Sequence, residues 1–326
     1  MLAVLALVTG VVFAAAEPTR AQGCGGAFRG RRCSTPPAGG GNKALDERML
    51  AGAHRLGRGE RIVVPIVYHV IYDSHPANPP DDLAHAPPAA LMELQTAVLN
   101  RAFHGTAISF STAGVEARSF VPWRRQAGTG YPPLEDIVDM IVDLNAERRG
   151  VLHVFLMQFD ESAAPPETKM MFQGFRRRTD GIMMGWDLLP YDPILHPLDP
   201  QSLLYWSEGE TLVHLVGHYL GLLHTYEPWP VEVEGNVPRC STHSPPCAQI
   251  SDHVRDTPVH LGGLSDDCAP VDSCPEYPGL DPIGNYMSAE PDLCTHEFTP
   301  GQVLRMERMV RAFRPYLIVG TPASQH

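Results

Sequence analysis

The chain has 326 residues, 44% of them hydrophobic and 19% charged, and a formal net charge of −12 at pH 7. That length suits one large domain or two lobes with an ample core. The acidic balance and scattered basic residues argue against a nucleic-acid partner, and the clusters at 29–32 and 176–178 are short arginine runs typical of solvated loops. Residues 2–16 (LAVLALVTGVVFAAA) form one apolar run that ends in small residues before Glu17 and Pro18. The run is too short to span a bilayer and reads as a secretory signal over 1–16, although it lacks a leading Lys or Arg. No later segment approaches about 18 consecutive apolar residues, so no membrane partner is expected.

Residues 17–57 read as a linker or short pro-segment, rich in Gly, Pro and Arg from residue 21, with a dibasic Arg29-Gly30-Arg31-Arg32 stretch. From about residue 58 the pattern becomes that of a core. IVVPIVYHVIY (62–72) is a β-branched and aromatic strand. Pro87 and Pro88 open a helix with apolar Leu91, Leu94, Val98 and Leu99. A strand at 108–110 follows, then a helix at 134–144 carrying Ile137, Met140, Ile141 and Leu144. A strand is expected at 151–159, with 181–186 as a candidate edge strand beside a cleft. The proline-rich stretch 190–200 is a loop leading to a helix at about 208–220. Beyond His224 regular structure thins, until Thr299 and Gln302 form a capping box and Pro300 takes the first turn of a final helix.

The most informative stretch is HLVGHYLGLLH, 214–224. His214 and His218 are four apart and share one helical face. Gly221 permits the backbone to turn and bring His224 round as a third nitrogen. Three neutral imidazoles around an open fourth position are a catalytic-type zinc arrangement. The alternative is a buried apolar helix whose histidines merely pack, which would need a separate hydrogen-bond partner for each ring. In motifs of this kind the residue after the first histidine is a glutamate that acts as general base; here it is Leu215.

A secreted chain makes its seven cysteines disulfide candidates, and the odd count leaves one thiol free or paired externally. Cys24 and Cys33 lie in the leader, whereas Cys240, Cys247, Cys268, Cys274 and Cys294 follow the histidine motif. None has the close spacing of a zinc-binding cysteine pair.

The histidine helix through HTY (224–226), DHVRDTP (252–258), DSC (272–274), DPIGNYM (281–287) and FTPGQVLRM (298–306) occur in an order and spacing that resembles the pappalysin-like metzincin zinc metallopeptidases, in particular secreted fungal-type extracellular metalloproteases. The resemblance implies an α+β, zincin-like fold: a mixed, twisted sheet with an active-site helix, then an irregular lower lobe ending in a helix. The corresponding division is an upper lobe over 58–224 and a lower lobe over 225–319. It also implies zinc held by His214, His218 and His224, and a methionine turn at Met287. The expected bridges are Cys247–Cys274 and Cys268–Cys294, with Cys240 as the extra cysteine. Asp252, Asp256 and Thr257 are a candidate calcium site by the same resemblance.

The activity implied is peptide-bond hydrolysis by zinc-activated water, on a protein or peptide partner. Two departures bear on it. Leu215 replaces the general-base glutamate, and Ala289 replaces a tyrosine that in relatives helps to steady the oxyanion. Acid–base help is worth about 10²–10⁴ in rate, roughly 3–5.5 kcal/mol, and an oxyanion donor about 10²–10³ more. Glu210, Glu208 and Glu290 are the nearby carboxylates, the last reading as a surface-loop charge, and no rescue is expected from them. Three readings stay open: a weakened peptidase, a catalytically dead pseudoprotease that binds zinc and peptides through its edge strand, and a purely structural zinc site.

Overall fold

A computed structural model describes residues 50, 52–73, 87–120, 142–144, 150–157, 170–172, 181–190, 208–227, 231–234, 237–240, 252–262 and 267–320. The expected signal, leader and most of the helix at 134–144 lie outside these residues; of that helix, 142–144 are described and are helical. Among the described residues, no helix is long and apolar enough to cross a membrane.

The framework is an α+β arrangement on a six-stranded mixed sheet. Its strands are β1 (Arg61–Asp73), β2 (Ile108–Phe120), β3 (Leu152–Met157), β4 (Met170–Phe172) and β5 (Ile182–Gly185), in the order β2-β1-β3-β5-β4, with β8 (Ile318–Val319) pairing to β1. β1 runs parallel to β2 and β3, and β3 parallel to β5, while β4 and β8 are antiparallel to their neighbours. Helix α1 (Ala89–Ala102) makes the crossover from β1 to β2 that a parallel pair requires.

β1 is apolar almost throughout because both its faces are covered. Ile62, Val64, Ile66, Tyr68 and Val70 enter the main core, and Val67, His69 and Ile71 are buried on the opposite side. Pro65 is tolerated inside this central strand because β3 begins to pair only at Ile66. Ile62 donates its N–H toward the β2 side, so the position of the absent Pro65 N–H faces the other way, before β3 begins. On the far face His69 Nε2 and His153 Nδ1 are 2.9 Å apart, with Phe155 stacked on His69.

Three sequence expectations are corrected. Residues 181–186 do not form the sheet edge: β4 lies outside β5, and its three residues are too few to show an alternating pattern. Leu94 is 49% exposed, because it falls just outside the stripe of α1 set by Leu91, Met92, Gln95, Thr96, Val98 and Leu99. The region beyond His224 contains a small ribbon of β6 (Val231–Glu234) and β7 (Val237–Cys240).

The histidine motif lies on α2 (Glu210–Tyr219), all ten residues of which are buried. Gly209 precedes it in the left-handed region (φ 81°) and supplies no cap. Asp292, far along the chain, does so instead: its Oδ2 accepts from the N–H groups of Glu208 (3.1 Å) and Glu210 (3.2 Å). At the other end Gly221 (φ 103°) donates to His218 O and Leu222 to Gly217 O, both at 2.9 Å. That pair of bonds is a Schellman closure, and a left-handed glycine is what it needs. The last helix, α3 (Pro300–Phe313), begins with the capping box of Thr299 and Gln302.

A Cβ at Gly221 would be strained by φ and would collide with Met309. Gly221→Ala is therefore expected to cost about 1–3 kcal/mol, measured as a lowered midpoint of thermal or urea unfolding.

Candidate metal centre

His214 and His218 project from one face of α2, one turn apart, and the Schellman turn at Gly221 returns the chain so that His224 meets them. His218 Nε2 lies 3.1 Å from His214 Nε2 and 3.2 Å from His224 Nε2. The three ligand atoms all fall within 4.8 Å of one another, and this is the cluster of its kind among the described residues. Nitrogens arranged tetrahedrally about 2.0–2.1 Å from one ion stand roughly 3.3 Å apart, so the spacing suits a small divalent cation.

The opposite ring nitrogens decide the tautomers. His214 Nδ1 donates to Tyr286 O (2.6 Å) and His218 Nδ1 to Leu222 O (2.9 Å). His224 Nδ1 faces Glu227 Oε1 at 3.2 Å. A carbonyl oxygen only accepts, so the facing nitrogen carries the proton and each Nε2 keeps its lone pair. Three lone pairs therefore converge. Burial is the main cause that pushes the His218 imidazole down to about 3, which keeps it in the neutral form that a metal needs.

Met287 packs against α2 at Gly217. A Cβ on Gly217 would overlap its Sδ, so the glycine between the two helical histidines is what lets the thioether lie against α2. The backbone around Met287 serves two ligands: Tyr286 O receives His214, and Met287 O receives the Thr225 N–H beside His224 at 3.2 Å. That turn is ordered by Asn285, whose Oδ1 accepts from Met287 N (2.9 Å) and Gln302 Nε2 (3.0 Å), while its Nδ2 donates to Gln302 Oε1 (2.8 Å). Gln302 thus joins the α3 capping box to the cluster, a link invisible in a box read locally.

Leu215 is fully buried in the main core among sheet and α1 residues, and Ala289 is also buried. Neither position offers a polar group. Of the nearby carboxylates, Glu210 accepts from the Thr295 hydroxyl (3.0 Å), and Glu290 is 4% exposed, which corrects its reading as a surface charge. None joins the three-nitrogen cluster.

A disulfide joins Cys268 to Cys294 close in sequence to the Asp292 that caps α2. Cys274 is also disulfide-bonded, while Cys247 lies outside the described residues, as do Cys24 and Cys33. Sequence reasoning passed over Glu227, Tyr226 and His260. Tyr226 stacks on His224 (5.0 Å between centroids), and His260 Nε2 is 2.7 Å from Thr225 Oγ1.

No family model matches the chain. Among solved structures it resembles a promirolysin mutant of Tannerella forsythia, at a TM-score of 0.56 and 20% identity over 84% of this chain and 90% of that one. It also resembles mature mirolysin in complex with a cleaved peptide, at a TM-score of 0.52 and 20% identity over 79% and 97% of the two chains. The fold is thus shared with mirolysin. An extracellular metalloprotease of Aspergillus oryzae is 30% identical over 245 residues, 68% of this chain and 69% of that protein. One from Pyricularia oryzae is 41% identical over 113 residues, 35% of this chain and only about a third (34%) of that protein's length. The chain belongs to the family of fungal-type extracellular metalloproteases.

Burial lowers the His260 pKa to about 4. An unfolded histidine binds its proton near pH 6.5, so the folded state holds fewer protons between about 6.5 and 4, and stability falls as pH falls through that window. His218 acts in the same direction. Asp252, raised to about 6 by burial, acts in the opposite one between 3.8 and 6. The histidine effects dominate. Urea unfolding of metal-free protein is expected to show a lower midpoint at pH 4.5 than at pH 7, and the loss is expected to be smaller in His260→Gln.

Proposed function

We propose that the protein is a secreted, zinc-binding metallopeptidase homologue that has kept its metal and peptide-binding cleft but not efficient hydrolysis. His214, His218 and His224 are the ligands, and the observation carrying this is the convergence of three lone-pair nitrogens at 3.1 and 3.2 Å. Zinc bound there would supply Lewis-acid polarisation of a carbonyl. Leu215 can neither take nor return a proton, and the Ala289 side chain has no hydrogen-bond donor, so these two positions supply neither proton transfer nor oxyanion stabilisation. Met287 is proposed as the methionine turn, supported by its seat against Gly217.

A peptide ligand is proposed to add to β4, the antiparallel edge that packs beside α2 and β5. Main-chain hydrogen bonds would give affinity there; cleaved peptide accompanies mirolysin in one solved complex. Secretion through residues 1–16 is supported by the name extracellular given to the fungal relatives. A linker or short pro-segment over 17–57 and one peptidase-like domain over 58–319, with lobes meeting near 224, complete the reading; the pairing of β8 with β1 supports a domain that runs to about residue 319. The bridge Cys247–Cys274 is proposed as well, supported by Cys274 being disulfide-bonded.

Purified protein is expected to contain one zinc per chain, lost in His224→Ala. Casein turnover is expected to lie at least 10²-fold below that of family members and to rise by about that factor in Leu215→Glu with Ala289→Tyr. Chelator-sensitive turnover at the family level in the unaltered chain would overturn the reading.

A calcium ion is the second cofactor proposed. Asp252 and Thr257 lie side by side, where the Thr257 hydroxyl favours the charged Asp252 carboxylate against its burial, and Val254 N donates to Asp252 Oδ1 at 3.0 Å. Asp256 instead accepts from Thr299 and Gly301 at the start of α3, both at 2.8 Å, so it is the weaker candidate. Millimolar calcium is expected to raise the melting temperature of the protein but not of Asp252→Asn.

A further inference from the structure

The three ligand rings are anchored through Nδ1 by unequal partners. His214 and His218 meet neutral backbone carbonyls, at 2.6 and 2.9 Å. His224 meets the carboxylate of Glu227, three residues further on, at 3.2 Å. Side-chain exposure is only 2% for His224 and 5% for Glu227, so solvent screens this contact little. Tyr226 lies parallel to the His224 ring, 14° between planes, which keeps the imidazole from rotating away from the carboxylate. Leu222–Glu227 follows the Schellman turn as irregular chain, so the helix holds His214 and His218 but gives His224 no such support.

We infer that Glu227 is a positioning residue that acts through His224, fixing its tautomer and adding a negative charge behind it, so that the centre is built to retain its metal. This rests on the three-histidine reading above. A carboxylate taken out of water is costly unless a positive charge compensates it. A dication on the far nitrogen of the same imidazole supplies that compensation, and the carboxylate in return makes the ring a stronger donor. His214 Nδ1 and His218 Nδ1 instead meet the carbonyls of Tyr286 and Leu222. In a centre that has lost its proton-transfer group, the effect falls on metal retention.

Zinc affinity of the full chain, by competition with a chromogenic chelator, tests the role. Glu227→Gln keeps an acceptor for Nδ1 but removes the charge, and is expected to weaken zinc binding about tenfold; Glu227→Ala, which removes both, should approach 100-fold. Glu227→Asp should recover part of the loss. The visible absorption of the cobalt-loaded protein should shift in Glu227→Gln while the circular dichroism of the metal-free forms stays the same. Wild-type zinc affinity and an unchanged cobalt spectrum in Glu227→Gln would overturn the inference. Wild-type affinity in His214→Ala would instead overturn the three-histidine reading, so the two failures are distinguishable. Should the alanine variant not fold, the near-isosteric Gln and Asp variants still decide.

Discussion

Three imidazoles with their Nδ1 atoms committed to oxygen partners present three lone pairs to one point, and much of the described structure maintains that arrangement. Lone pairs 3.1 and 3.2 Å apart repel unless a cation lies between them. The protein must therefore resist their separation before any metal binds. α2 is buried over all ten residues and gripped at both ends, by Asp292 at the start and by the Schellman closure, with Arg305 donating to Gly221 O, at the finish. Met287 presses on it at Gly217. Asn285 and Gln302 hold the Met287 turn to the capping box of α3. Asp292 and Arg305 reach the two ends of α2 from 82 and 84 residues along the chain, so the centre is a property of the packed domain rather than of the motif.

Within this rigid cradle, the absent parts are chemical rather than architectural. Leu215 continues the main core across α2, and Ala289 leaves the chain after the turn without a hydroxyl. On the reading proposed above, the residues that hold the metal and those that would move protons are different ones: His214 and His218 are anchored by backbone carbonyls and His224 by Glu227, whereas Leu215 lies in the main core.

Elements whose signal is local were legible in the chain itself. β1 is a continuous β-branched run, α1 follows a proline pair, and Thr299, Pro300 and Gln302 announce the start of α3; each stands where expected. The sheet edge was not legible, because β4 has three residues and its identity as a strand depends on β5 beside it. β2 ran ten residues past its apolar start, since Ser, Thr and Gly along it are acceptable on the outer strand of a sheet. Glu290 reads as a loop charge until the packed loop encloses it.

The amino-acid sequence alone pointed to the three histidines that could bind a metal and to Leu215 where a glutamate is expected, because helical periodicity and a single left-handed glycine are local properties that spacing encodes. Only the tertiary structure decided how the histidines are held. The partners of their second nitrogens (Tyr286 O, Leu222 O and Glu227), the distant cap from Asp292 and the packing of Met287 against Gly217 are contacts made when remote segments pack. Hydrogen-bond direction and burial arise from that packing, and no spacing along the chain specifies them.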